Sequence, residues 1–238
     1  MCNICMPAGE VADIHPAKEQ RVIEAYIGEY ASGKSEVAIN RALFLAAKGR
    51  QVTIADLDLV EPFYTLRPIK HLLEAKGLNV IAWDTRKATG LGEAGSVIRP
   101  EARWVLRNPG DIILDIGYGV KGARSLNLLH GYKEAKELRV YAVVNISRPV
   151  TGTEERIVAY VKSLGRVDGL INNTHLGDDT DIETVQRGAA VVSDAAAKLG
   201  LPVIFTSVEE KLAPAIGTID NRGNPVFLLR RYMPGAFW

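Results

Sequence analysis

Short runs of apolar residues alternate along the chain with longer segments in which apolar residues recur every three or four positions. The short runs are typical of buried strands, and the longer period is typical of helices that pack on one face. The pattern predicts strands over 21–27, 51–55, 79–83, 111–115, 139–145, 169–172 and 202–206, and helices over 34–48, 66–76, 100–107, 153–164, 182–199 and 209–216. This alternation predicts an α/β fold with a mostly parallel sheet and helices on both faces.

The predicted sheet has one edge where functional residues are expected. Right-handed connections place the carboxyl ends of parallel strands together, and ligands bind outside that edge in open α/β sheets. No internal repeat, low-complexity tract or linker interrupts residues 21–238. We therefore expect one domain over 21–238, preceded by a loosely structured arm over 1–20. A last strand and a packed tail are expected over 226–238.

Residues 28–35 read Gly-Glu-Tyr-Ala-Ser-Gly-Lys-Ser and match the P-loop motif G-x-x-x-x-G-K-[ST] at every fixed position. A strand is predicted before them and a helix after them, as the motif requires. The glycines let backbone N–H groups turn toward one concavity, and the start of the helix adds further N–H groups and its dipole. We expect Lys34 to reach the β- and γ-phosphates and the Ser35 hydroxyl to bind Mg²⁺. The predicted nucleotide contacts are Gly28, Ser32, Gly33, Lys34, Ser35 and Glu36.

Three aspartates lie at the ends of two predicted strands. Asp56 and Asp58 follow the strand over 51–55, and Asp115 ends the strand over 111–115. Carboxylates at that edge of the sheet can hold Mg²⁺ directly or through water. Aspartates also cap loops, but three of them in a chain with a P-loop favour a functional site. Asp56 and Asp115 are therefore predicted near Mg²⁺.

The order and spacing of these motifs resemble the MinD/ParA group of P-loop ATPases, which includes the nitrogenase iron protein and nickel-insertion ATPases such as CooC. The resemblance covers about residues 21–208. It rests on the P-loop, on Asp-Leu-Asp at 56–58, on Asp-Ile-Gly at 115–117 and on Gly-Leu-Ile-Asn-Asn at 169–173. It implies an ATP-binding and ATP-hydrolysing switch that acts on a protein or metalloenzyme partner.

The resemblance also implies roles for individual residues. Asp58 would orient the attacking water and act in catalysis with Lys34, and Asp115 would be the carboxylate near Mg²⁺. Asn173 would contact the base, with Asn172 as its rival. Members of the group form a homodimer around ATP, and many carry a lysine after the first P-loop glycine that reaches the partner's phosphates. This chain has Glu29 at that position, so a cross-subunit lysine is not expected here.

Charge and composition give little indication of a partner. The chain has 29 Lys and Arg against 28 Asp and Glu, so its net charge of +1 provides no general attraction to nucleic acid. No run of 18 apolar residues exists, and the start of the chain lacks the apolar segment of a signal peptide. Contact of the tail with a membrane is not favoured, because Pro and Gly interrupt it. A cytoplasmic location is the default expectation.

Cys2 and Cys5 form a C-x-x-C pair. Two thiolates are half of a four-cysteine site for Zn²⁺ or an iron–sulfur cluster, and a symmetric dimer would supply the other half. A disordered arm with two free thiols is the favoured interpretation, since a single pair is a weak pattern.

Two other functions remain open for the same fold. A ligase-type enzyme resembling dethiobiotin synthetase would phosphorylate a substrate carboxylate, but that group has a different P-loop and lacks the Asp-x-Asp sequence. A non-catalytic module would bind nucleotide and partner without turnover.

Overall fold

A parallel sheet of eight strands forms the centre of the computed structural model, which describes residues 20–59, 65–83 and 98–233. All seven pairs of neighbouring strands run parallel. The strands are β1 (Ile23–Gly28), β2 (Val52–Leu57), β3 (Asn79–Ile81), β4 (Asp111–Ile116), β5 (Leu138–Val144), β6 (Gly169–Asn172), β7 (Val203–Glu209) and β8 (Val226–Leu229). Their order across the sheet is β3-β2-β4-β1-β5-β6-β7-β8. The predicted α/β fold is thereby confirmed.

Helices cover both faces of the sheet. They are α1 (Lys34–Ala47), α2 (Lys70–Ala75), α3 (Pro100–Arg103), α4 (Gly119–Arg124), α5 (Glu154–Leu164), α6 (Ile182–Leu199) and α7 (Ala213–Ile216). Apolar residues of α1 and α2 form one core layer with the sheet, and those of α3, α4, α5 and α6 form the layer on the opposite face. No helix in the described ranges is long and apolar enough to cross a bilayer.

Capping residues mark the starts of two helices whose bounds lie at or within one residue of the prediction. Asp181 precedes α6 and its carboxylate accepts a hydrogen bond from the Thr184 N–H at 2.8 Å. Thr153 caps α5 in the same way, so it lies outside the helix that was predicted to include it. Strand β6 and helix α6 match their predicted bounds, and α1 ends one residue before its predicted end.

Other helices and strands differ from the prediction in their bounds or were not predicted at all. The helix predicted over 66–76 is a 3-10 turn at Arg67–Ile69 followed by α2, and the one over 100–107 is α3 followed by a 3-10 turn at Val105–Arg107. Strand β7 continues to Glu209, three residues past its predicted end. Helix α4 was not predicted, because its sequence Gly-Val-Lys-Gly-Ala-Arg has too few apolar residues to show a helical period.

A buried ion pair joins α1 to β1. The Arg41 guanidinium donates two hydrogen bonds to the Glu24 carboxylate, at 3.0 and 2.9 Å, and the Tyr26 hydroxyl donates a third at 2.6 Å. All three residues are less than 10% exposed. Since α1 begins at the P-loop, this pair fixes the helix that carries Lys34 and Ser35.

We expect Arg41→Ala to lower the free energy of unfolding by about 3–5 kcal/mol, because it leaves the Glu24 carboxylate buried without a cation, with only the Tyr26 hydroxyl bonded to it. Urea denaturation measures the change. Arg139→Ala is the matched control, since Arg139 lies opposite Glu24 on β5 but is exposed. A loss below about 1 kcal/mol for Arg41→Ala, the level of a surface pair, would contradict a structural role for this ion pair.

Candidate functional site

The P-loop connects the end of β1 to the start of α1 and takes a shape that requires its glycines. Gly33 has a φ of 83°, and a Cβ added there would lie 2.1 Å from the Asn173 amide nitrogen. A Cβ at Gly28 would lie 2.5 Å from the Val143 carbonyl oxygen on β5. A larger residue would therefore displace the Asn173 side chain at position 33 and press on the backbone of β5 at position 28.

Donor groups converge inside this loop. The buried Lys34 ammonium donates to the Glu29 carbonyl oxygen at 2.9 Å, and the Ser32 N–H points to the same oxygen at 3.3 Å. No side chain among the described residues caps the N-terminus of α1. A helix start of this kind, together with a lysine, is a favourable site for an anion. The predicted contacts Gly28, Ser32, Gly33, Lys34 and Ser35 thus lie together in one loop.

Asp115, near the end of β4, is a buried carboxylate. Its side chain is fully enclosed, and neither carboxylate oxygen has a hydrogen-bond partner within the described ranges. Burial and, after it, the charge of the Asp56 carboxylate raise the pKa of Asp115 to about 8, although the Ser35 hydroxyl and the Lys34 ammonium act in the opposite direction. Carboxylate and hydroxyl oxygens are ligands that Mg²⁺ prefers. The donor set at Asp115 and Ser35 therefore fits a divalent cation.

Asp56 has a different environment from Asp115, although the two residues are paired in register on β2 and β4. The Arg67 guanidinium donates to one Asp56 oxygen at 2.5 Å, and the Asp58 N–H donates to the other at 2.9 Å. Arg67 also donates to the Asp58 carbonyl oxygen at 2.9 Å. Asp58 itself is half-buried at the same edge. Arg67 thus fixes the turn that presents Asp58, a role that no motif in the sequence indicates.

The carboxylate of Glu36 binds the backbone of the segment that follows β8. It accepts hydrogen bonds from the N–H groups of Tyr232, at 2.9 Å, and Met233, at 2.6 Å, just after β8. Burial raises the pKa of Glu36, and these bonds oppose the shift. The side chain therefore anchors the segment after β8. A nucleotide contact from Glu36, which was expected from its position in the first turn of α1, stays a prediction.

Asn173 supports the P-loop from beneath. Its amide nitrogen donates to the Ser32 carbonyl oxygen at 2.8 Å, and its amide oxygen accepts from the Ser207 hydroxyl at 2.7 Å. The rival Asn172 is fully buried, and its amide nitrogen donates to the Thr206 hydroxyl at 3.2 Å. Only Asn173 of the two lines the adjoining pocket. The predicted contact with the nucleotide base therefore stays with Asn173 rather than Asn172.

That pocket lies beside the P-loop, between the loop that follows β6 and the carboxyl ends of β7 and β8, and its empty volume is about 520 Å³, part of it open to solvent. His175 lines it and was missed by the sequence analysis, because a single histidine shows no ligand spacing. Its Nδ1 accepts from the Gly177 N–H at 3.3 Å, which leaves the proton on Nε2. Burial, with Arg148 and Arg231 nearby, lowers the pKa of His175 to about 4. His175 is therefore a neutral donor beside the loop.

Glu29, the residue after the first glycine of the P-loop, folds back on its own loop. Its carboxylate accepts from the Tyr30 N–H at 2.9 Å. Burial, followed by the Glu29 charge, raises the pKa of Tyr160 on α5. The Glu29 carboxylate therefore lies close to α5.

The predicted metal site at Cys2 and Cys5 lies outside the described residues. Within 20–59, 65–83 and 98–233, no three His, Cys, Asp or Glu side chains are grouped as metal ligands. A Mg²⁺ site needs fewer protein ligands, because nucleotide phosphates and water complete it.

Comparison with known proteins establishes the fold. No family model and no curated protein matches the chain. Among solved structures, the cell division protein FtsY from Thermotoga maritima has a TM-score of 0.52 at 18% identity, covering 92% of this chain and 67% of that one. The signal recognition particle receptor FtsY from Elizabethkingia anophelis has a TM-score of 0.54 at 14% identity, covering 84% and 63%.

The same Elizabethkingia receptor in complex with GDP has a TM-score of 0.54 at 14% identity, with 87% of this chain and 62% of that chain covered. The chain thus spans about two thirds or less of the length of these neighbours. At such identities the likeness shows the fold alone. The chain has a P-loop NTPase fold.

Proposed function

We propose that this protein binds ATP with Mg²⁺ at its P-loop and hydrolyses it, as a MinD/ParA-like switch that acts on a protein or metalloenzyme partner. The observation that carries the proposal is the buried Asp115 carboxylate. It has no hydrogen-bond partner in the described part of the chain and lies near Ser35 and Lys34. A carboxylate in this state is costly without a cation, and a metal–nucleotide complex supplies one.

The phosphates would replace an interaction that the loop makes with itself. The Glu29 carbonyl oxygen accepts from the Lys34 ammonium and from the Ser32 N–H. Phosphate oxygens are stronger acceptors, because they are charged. We infer that Lys34 moves from the Glu29 oxygen to the β- and γ-phosphates, while the uncapped start of α1 receives further phosphate oxygens.

In this proposal Mg²⁺ supplies charge neutralisation at the phosphates, held by Ser35 and Asp115. Asp56 would contact Mg²⁺ only through a water molecule, since its two carboxylate oxygens already accept hydrogen bonds from Arg67 and from the Asp58 N–H. Asp58 would orient the attacking water, because the Arg67 and Asp56 contacts fix its backbone at the edge of the sheet. Asn173 would contact the base from the adjoining pocket.

ATP is proposed on the resemblance to MinD/ParA proteins, and the GDP complex is a property of the FtsY structure that contains it. Calorimetry with Mg·ATP and Mg·GTP in parallel distinguishes the two nucleotides. Tighter binding of GTP would remove the ATP assignment and leave the P-loop assignment intact.

A nucleotide-dependent homodimer is part of the proposal. Three apolar side chains stand exposed around the site: Tyr30 in the P-loop, Val150 after β5 and Leu176 after β6, at 41%, 45% and 47%. A second copy would cover them. Sedimentation with a slowly hydrolysed ATP analogue tests this, and a monomer with bound nucleotide at high protein concentration would reject it.

We further propose that the arm over 1–20 is separate from the nucleotide-binding domain over 21–238. Cys2 and Cys5 of both subunits would then share one Zn²⁺ ion or iron–sulfur cluster per dimer. Metal analysis after anaerobic purification tests the shared site. One metal ion per chain in a monomer, or none, would contradict it.

We expect Lys34→Ala to weaken binding of Mg·ATP by roughly 100-fold or more, because charge-assisted hydrogen bonds to phosphate are lost. Isothermal titration calorimetry measures the affinity. Lys162→Ala on the exposed face of α5 is the control for charge. Unchanged affinity in a folded Lys34→Ala protein would reject the P-loop assignment.

We expect Asp58→Asn to spare nucleotide binding and slow hydrolysis by roughly 100-fold, the usual effect of losing a group that positions or activates water. Phosphate release under saturating Mg·ATP gives the rate. Asp194→Asn, on the exposed part of α6, is the matched control. Hydrolysis at the wild-type rate would assign the water-orienting role to another residue.

We expect the affinity for Mg·ATP to rise with pH up to about pH 8. The pKa of Asp115 is raised to about 8, so the carboxyl is protonated below that pH and must lose its proton when the metal binds. The slope should approach about tenfold per pH unit. Asp115→Asn removes the titrating group, so this part of the slope should vanish in that variant. Equal slopes in the two proteins would contradict the assignment of Asp115.

A further inference from the structure

Ala31 adopts a backbone conformation that its side chain disfavours. It has a φ of 53° and is the one residue other than glycine with a positive φ in the described ranges. The left-handed region is sparsely populated by residues with a Cβ, and such a conformation persists when its surroundings fix it. Ala31 lies in the middle of the P-loop, so the residue that fixes it also shapes the phosphate site.

Arg148 makes the contact that can fix it. Its Nε donates to the Ala31 carbonyl oxygen at 3.0 Å from the loop between β5 and α5, 117 residues away in sequence. The ion pairs recorded for the described part of the chain do not include Arg148. A guanidinium that is not held by a carboxylate is available to serve the backbone of the P-loop.

The direction of this hydrogen bond determines which groups face the interior of the loop. In a trans peptide the carbonyl oxygen and the following N–H point to opposite sides. The Ala31 carbonyl points outward to Arg148, so the Ser32 N–H of the same peptide unit points inward. There it meets the Glu29 carbonyl oxygen, which also accepts from the Lys34 ammonium. Arg148 thus keeps the Ser32 N–H directed at the same oxygen atom to which the Lys34 ammonium donates.

We propose that Arg148 is a positioning residue of the P-loop, which acts by holding the peptide between Ala31 and Ser32 so that its N–H faces the phosphates. The inference rests on the proposed nucleotide site and assigns Arg148 no contact with the nucleotide. It also explains how this P-loop maintains an alanine at a left-handed position, where glycine would need no support.

A double-mutant cycle with Ala31→Gly separates this role from a direct contact between Arg148 and phosphate. We expect Arg148→Ala to weaken binding of Mg·ATP by about tenfold, the effect of losing one hydrogen bond from a charged donor. Glycine adopts the left-handed conformation readily. In the Ala31→Gly background the same Arg148→Ala change should therefore cost only about two- to threefold.

Arg156→Ala is the matched control, because Arg156 is exposed and donates to the Pro149 carbonyl oxygen at 2.9 Å without touching the P-loop. It should leave the affinity within twofold of the wild type. Arg148→Lys retains the charge but lacks the Nε donor of the planar guanidinium, and it should resemble Arg148→Ala. Thermal unfolding of each variant establishes that the loss of affinity is not a loss of folding.

Hydrogen exchange in the nucleotide-free protein provides a readout that needs no ligand. Amide exchange of a peptide covering 29–34 should be faster in Arg148→Ala than in the wild type, and unchanged in Arg156→Ala. Unchanged exchange in Arg148→Ala, or an equal affinity loss with and without Ala31→Gly, would overturn the positioning role. A wild-type protein that binds no nucleotide would instead overturn the proposed function, whatever the exchange result.

Discussion

A carboxylate that is buried without a hydrogen-bond partner costs free energy, and Asp115 has none among the residues that the structure describes. The cost is reduced when the group takes up a proton, and burial accordingly raises its pKa to about 8. A bound cation would reduce it too. The Ser35 hydroxyl and the Lys34 ammonium lie close enough to oppose the shift, so the three groups form one electrostatic unit. The shape of the loop, the proposed Mg²⁺ site and the proposed catalysis all depend on this unit.

The fold holds that unit in place through buried contacts on three sides. Strand β1 lies between β4, which carries Asp115, and β5, and it ends at the P-loop. Helix α1 is fixed to β1 by the ion pair between Arg41 and Glu24, so the helix start cannot shift freely against Asp115. Asn173, directly after β6, supports the loop through its bond to the Ser32 carbonyl oxygen. The phosphate site is therefore rigid on the side that faces the sheet.

Much of this could be predicted from the sequence because it depends on local patterns. The P-loop motif requires glycines at fixed positions, and the contacts that a Cβ at Gly33 would make show why. The alternation of apolar runs with helical periods predicted the order of the elements, and strand ends located Asp56, Asp58 and Asp115 at one edge. The roles predicted for individual site residues remain to be tested by experiment.

The parts that could not be predicted depend on contacts between residues far apart in sequence. Arg67, in a 3-10 turn, donates to Asp56, and Arg148 reaches the P-loop across 117 positions, yet neither arginine has a motif around it. Glu36 was expected at the nucleotide, but its carboxylate is used by backbone N–H groups near residue 232, which no local pattern reveals. Contacts of this kind depend on the order of the strands in the sheet, which brings distant segments of the chain together.

A crystal structure with Mg²⁺ and a slowly hydrolysed ATP analogue would show whether Asp115 and the P-loop hold a metal–nucleotide complex. We expect the metal at about 2.1 Å from the Ser35 hydroxyl oxygen, with Asp115 bound directly or through one water, and the Lys34 ammonium on the β- and γ-phosphates. Nucleotide bound outside the P-loop, or a metal that leaves both Asp115 oxygens without a contact, would contradict this expectation.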